Sequence, residues 1–194
     1  MGVPTYRDQW PIYAEEWDKL ELTNHTDQAR AAAQHILKNK ARYQAIETKT
    51  RVPWYWIGPT HYRESDFSFN TQLAQGDPLD RISRHVPRGM GPYHGPGAFE
   101  RAAIEGLEHD RITDVHVWTL EKLIYYWEKW NGWGYHTHGV PSAYLWSGSN
   151  IYRGGMFVSD GHWSGGAHDS RPGTVVILKC LMAIDPTIHP PRET

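Results

Sequence analysis

The chain has 194 residues, 20 Lys and Arg against 22 Asp and Glu, and a formal net charge of -2. This balance supplies no basic surplus for a phosphate backbone or an anionic lipid surface, so neither nucleic acid nor a membrane face is an expected partner. Its single cysteine, Cys180, excludes an internal disulfide, and the surrounding VVILKCLM marks it as a small core residue rather than a nucleophile.

The length suits one compact domain over residues 1–194, with 1–25 an extension or a first helix. That entry, MGVPTYRDQWPIYAEEW, has no apolar stretch behind a basic start. No run in the chain reaches the roughly 18 apolar residues a spanning helix needs. The expectation is a monomer in a reducing cytoplasm, without stable membrane insertion. Thr26 then caps an Ala-rich helix to about Glu47, with Ala29, Ala33, Ile36, Ala41 and Tyr43 along one stripe. Pro53 opens a second helix from Trp54 to about Ser65, which carries Glu64 near its carboxyl end; Pro59 is expected to kink it or shift its start. From Phe69 to His94, Gly, Pro, Asp and Arg predict turns and a short hairpin along one side of a cleft. Helical composition returns over Ala98–His109. Leu120, Leu123, Ile124, Trp127 and Trp130 then share the apolar face of a long core helix. Asn131 to Ala167 reads as irregular, and Pro172 opens a buried helix to Ala183. The fold class is mainly α: a helical body with a short β-hairpin and loop region forming one side of a cleft.

Aromatic residues make up 13% of the chain, with 10 Trp and 11 Tyr against 4 Phe, so the rings that pair an apolar face with a polar edge dominate. Such faces suit sugar rings. In HYRESDFSFN, Glu64 stands at a helix end beside Tyr62, Phe67 and Phe69. Partial burial there is expected to keep its carboxyl protonated, as cleavage of a glycosidic bond demands of the acid that protonates the leaving oxygen. In GDPLDR, Asp77 follows Gly76 and precedes Pro78, which fixes its carboxylate on a turn. It is the second catalytic candidate, to stabilise an oxocarbenium-like centre or position water. Asp66 and Asp80 compete for that role. For substrate contacts the sequence offers His61, Arg63 and Asn70 around the acid. Asn131, Tyr135, Tyr144, Trp146 and Asn150 form a second wall, where amides meet N-acetyl groups and rings meet sugar faces. Glu128, on the core helix, is expected to have a buried partner such as Arg63.

VPWYWIGPTHYRESDFSFN resembles the acid-bearing helix end of lysozymes and soluble lytic transglycosylases, where Glu-Ser followed by an aromatic residue and Asn recurs. With HVPRGM, YYWEKWNGWGY and SAYLWSGSNIYRGGMFVSDG, the chain from about Val52 to Leu181 resembles bacterial and phage proteins described as lysozyme-family or endolysin-like. The resemblance implies a lysozyme-like fold and cleavage of the β-1,4 bond between N-acetylmuramic acid and N-acetylglucosamine in peptidoglycan glycan strands, without a cofactor. It places Glu64 as the catalytic acid and Asp77 at the acidic position of the family's GDPL segment. The Gly-Leu-Met-Gln element of lytic transglycosylases is missing, which weighs against the anhydro-forming outcome. A muramidase beginning without a leader would reach the wall after membrane permeabilisation, as a phage endolysin does.

Two rival classes follow from other residues. His136 and His138, with His162 or His168 and Asp169, invite a zinc amidase or peptidase, although no His-Glu-x-x-His is present. A wall-binding module could use the aromatic cleft without turnover, since a fold does not guarantee chemistry.

Overall fold

The computed structural model describes residues 2–159 and 161–194. Met1 and Asp160, the latter within the SAYLWSGSNIYRGGMFVSDG segment, lie outside the described residues. Among the described residues the protein is mainly helical with one small antiparallel sheet. The contacts of the described residues fall into two compact units, residues 2–34 with 118–194, and residues 35–117.

In the first unit, α1 (Tyr6–Asp18) is capped by Thr5, whose Oγ1 accepts from the Asp8 amide at 3.3 Å. It packs on α6 (Leu120–Asn131), which Thr119 caps in the same way at Lys122. The α6 stripe is as the spacing predicts: Leu120, Leu123, Ile124 and Trp127 are buried, and Trp130 is half-buried. Two single helical turns follow, α7 (Gly134–Thr137) and α8 (Ala143–Trp146). The second packs against α6 and α9 (Thr174–Ile184). Val175, Val176, Ile177, Leu178 and Leu181 of α9 are fully buried, so packing on both sides overrides the strand preference of its β-branched residues. The tail returns to α6, where buried Glu121 accepts from Arg192 Nε at 2.5 Å and the Glu193 amide at 2.8 Å.

The sheet pairs β1 (Met156–Ser159) with β2 (His162–Ser164), with Phe157 opposite Trp163. This places the hairpin inside the segment read as irregular. The region from Phe69 to His94 forms loops with one isolated bridge, Thr71 to Pro78. Gly155 shows why the 131–167 stretch is Gly-rich: with φ at 86°, a Cβ there would lie 2.6 Å from the Trp163 ring.

The second unit contains α3 (Lys40–Thr50), α4 (Trp54–Ser65), α5 (Ala98–His109) and a 3-10 turn at Ile112–Asp114, with α3 packed on α4 and α5. The single helix expected from Thr26 to Glu47 is two, α2 (Thr26–Lys38) and α3. The break is at Asn39, whose side-chain amide donates to His35 O at 3.0 Å while its backbone N–H is shared between His35 O and Ile36 O. An Asn side chain that bonds its own backbone in this way ends a helix. α4 starts at Trp54, with the Pro53 carbonyl accepting from Trp56 and Ile57 N–H, and it runs through Pro59. Thr60 Oγ1 donates back to Trp56 O at 2.8 Å in the turn that includes Pro59. Among the described residues, no helix is long and apolar enough to cross a membrane.

Candidate functional site

Glu64 lies in the last turn of α4 and is half-buried. The helix stops because Asp66 and Phe67 adopt left-handed conformations, φ 49° and 64°, which turn the chain sharply behind the acid. The following loop closes on itself: Gln72 N–H donates to Asp77 O at 2.7 Å, Gly76 N–H to Gln72 O at 2.9 Å, and Leu79 N–H to Asn70 O at 3.0 Å. Its tip comes back to the helix end, so that a side-chain carbon at Gly76 would sit 3.6 Å from the Glu64 carbonyl oxygen. The residue before Asp77 therefore lies near the backbone of Glu64. Both candidate carboxylates belong to one compact unit.

Asp77 is buried and fully engaged. Its Oδ2 accepts from the His85 amide at 2.9 Å and the Arg84 amide at 2.8 Å, and its Oδ1 pairs with His85 Nδ1 at 2.8 Å. The His85 and Arg84 amide bonds and the His85 ring hold its carboxyl below the usual carboxylate range. Asp77 is thus a fixed anion that ties Arg84 and His85 to the 70–79 loop. Asp66 and Asp80 are exposed.

His61, expected to face the cleft, is a core residue at 0% exposure. Nδ1 bonds the Tyr43 hydroxyl at 3.0 Å and Nε2 the Ser68 carbonyl at 3.1 Å, and the ring packs 4.4 Å from Phe99 and 4.7 Å from Phe69. Burial is the main force pushing its pKa down to about 4, so the imidazole is neutral and serves as a spacer beneath the end of α4. Arg63 is also buried, whereas Asn70 is exposed. Arg42 completes this platform, stacking 3.7 Å over the Phe69 ring while its Nε donates to Glu100 at 2.6 Å.

The second expected wall lies in the other unit, and most of its members are interior. Tyr135, Tyr144 and Trp146 are buried, and the Tyr135 ring makes edge contacts with Phe157 and Trp163 of the hairpin. Asn150 is half-buried but committed: its Oδ1 accepts from Glu21 N–H at 3.0 Å and its Nδ2 donates to Lys19 O at 2.8 Å. Asn131, the last residue of α6, is half-buried. Tyr144 and Trp146 are buried within α8, which packs on α6 and α9, and Trp146 borders a cavity of the first unit. The zinc candidates are spread over separate contacts, with His138 stacked at 3.9 Å on Trp163 and His168 beside Tyr152. Among the described residues, no group of three or more His, Cys, Asp or Glu side chains is placed to hold a metal ion.

Sequence reasoning missed a second pair of carboxyls, Glu16 on α1 and Glu128 on α6. Glu128 is 5% exposed, and its Oε1 has no hydrogen-bond partner, in contrast to the buried cationic partner expected for it. Burial, followed by the charge of Glu16, pushes Glu128 up to about 8, against the lowering effect of a hydrogen bond from the Ser142 side chain. Burial, followed by Glu15, pushes Glu16 up to about 7. One signal was present, since Glu128 falls four residues after Ile124 on the buried stripe of α6. Comparison of the chain with protein-family models, with curated proteins and with solved structures finds no match.

Proposed function

We propose that the protein is a peptidoglycan-cleaving glycosidase of the muramidase type, with Glu64 as the acid that protonates the glycosidic oxygen. The observation that carries this reading is the setting of Glu64: a half-buried carboxyl in the last turn of a rigid helix, with the Gly76–Asp77 turn returning to its backbone. A general acid gains from a rigid support, because proton transfer demands a fixed approach to the leaving oxygen. The buried His61 and Phe99, with the half-buried Phe69, supply that support from below.

Asp77 takes a different part from an attacking nucleophile, since backbone amides and the His85 ring already occupy both of its oxygens. It shapes the loop and adds a permanent negative charge near the end of α4, which favours positive charge developing on the sugar. Water is then the nucleophile, and the product carries a reducing muramic acid. Sugar contacts come from residues other than the buried Tyr144 and Trp146.

Mass spectrometry of muropeptides released from purified peptidoglycan tests this. Reducing muramic acid ends are expected, unaffected by a chelator. Cleaved peptide bonds that disappear with chelator would replace this reading with a metallopeptidase.

A further inference from the structure

We propose that the cavity lined by α1, α6 and the turn before α8 is a binding site for a primary ammonium group on a short apolar stem, of the kind a lysine side chain carries. The site lies wholly within the first unit and does not depend on the role of Glu64.

The cavity measures about 440 Å³, within the size range of small-ligand pockets, and its apolar walls include Ile12, Tyr13, Trp133, Val140, Pro141 and Trp146. Its polar lining is unusual. Glu128 and Ser142 are 5% and 2% exposed; the Ser142 hydroxyl lies close enough to Glu128 to lower its pKa, yet Glu128 Oε1 and Ser142 Oγ lack a hydrogen bond of good geometry. Buried polar atoms are nearly always paired, so two poorly paired oxygens, buried on residues that line one cavity, mark the place of an absent donor.

Charge indicates what kind of donor. Glu16 and Glu128 both line the cavity, and among the described residues no Lys or Arg does. The other titratable groups in the lining are Tyr13 on α1 and His136 on α7, neither of them a permanent cation. An ammonium would donate to Oε1 and to Ser142 Oγ and offset both carboxylates, while the faces of Trp133, Trp146 and Tyr13 suit an organic cation. A hard divalent ion is the weaker fit, because among the described residues no group of three or more His, Cys, Asp or Glu side chains is placed to hold one. A neutral amide could satisfy the hydrogen bonds but would leave two carboxyls without a countercharge. With no cation in the lining, the site also disfavours an ammonium that carries a carboxylate on the same carbon.

Binding by ionised carboxyls follows their titration. Since Glu128 and Glu16 are pushed up to about 8 and about 7, affinity rises between pH 6 and pH 9, a range in which an alkylammonium stays charged.

Isothermal titration of the full chain with n-pentylammonium, with n-pentanol as the neutral isostere, tests the site. Saturable binding of pentylammonium is expected, at least tenfold tighter at pH 8.5 than at pH 6, at least tenfold weaker in Glu128→Gln, and several-fold weaker in Ser142→Ala. Nα-acetyl-lysine methylamide, with a free side-chain amine, should bind as pentylammonium does, whereas Nε-acetyl-lysine should not. Circular dichroism melts confirm that each variant is folded at the titration temperature, and Ser142→Ala carries the test if Glu128→Gln is not. Pentanol binding as well as pentylammonium, affinity indifferent to pH and to both substitutions, or no binding at all would overturn the proposal.

Discussion

Replacement of Glu128 by Gln removes a buried ionisable group while keeping nearly the same shape, and its effect must depend on pH. In the folded chain Glu128 is pushed up to about 8 from an ordinary value of 4.5. A carboxyl whose folded pKa is raised binds its proton more tightly when folded than when unfolded. Its contribution to stability is therefore fully present below the unfolded pKa and is lost as pH rises through the folded one. At about 1.4 kcal/mol per pKa unit, wild type should lose about 3 kcal/mol between pH 5 and pH 8 from this group alone. Glu128→Gln should lack that loss, so it is close to wild type in stability at pH 5 and the more stable protein at pH 8. Urea unfolding in ligand-free buffer, followed by circular dichroism, gives both slopes. Parallel stability curves for the two proteins across this range would refute the reasoning, because they would mean that Glu128 is either solvated or stably paired.

Other substitutions test the remaining assignments. Asp77→Ala should cost about 2 kcal/mol by removing charge-assisted hydrogen bonds, and hydrogen exchange at the Arg84 and His85 amides should speed up. Asp77 has a lowered pKa, so its contribution is present above the unfolded value and is lost as pH falls through the folded one; an Asp77→Asn series against pH measures this. His61 should remain neutral at pH 6 in NMR titration, with Tyr43→Phe costing about 1 kcal/mol through the lost hydroxyl at Nδ1. Gly173→Ala would set a Cβ 2.1 Å from the Leu145 carbonyl oxygen, which is backbone and has little room to yield, so denaturant unfolding should show a loss of about 3 kcal/mol or more.

Local signals made some elements legible in the sequence. Pro53 and the aromatic-rich turn after it give α4 its start at Trp54, and the spacing of Leu120, Leu123, Ile124 and Trp127 describes the buried face of α6. The mainly helical class with one short hairpin followed from such patterns. The position of that hairpin did not: Met156–Ser159 and His162–Ser164 are too short to show alternation, and they are held by Tyr135 and His138, more than fifteen residues earlier in the chain. At the candidate site, the helix-end placement of Glu64 was legible because it depends on one helix. The burial of His61 was not, since it depends on Tyr43 from α3 and Phe99 from α5. The pairing of Glu16 with Glu128 depends on α1 packing against α6, a contact between distant parts of the chain with no local signature.

The most direct test of the central claim is the rate at which wild type and Glu64→Gln release muropeptides from purified peptidoglycan, at matched folded fraction. Loss of an acid that protonates the leaving oxygen should lower the rate by at least a hundredfold, with thermal stability nearly unchanged for a half-buried side chain. A Glu64→Gln protein that releases muropeptides at the wild-type rate would contradict the account.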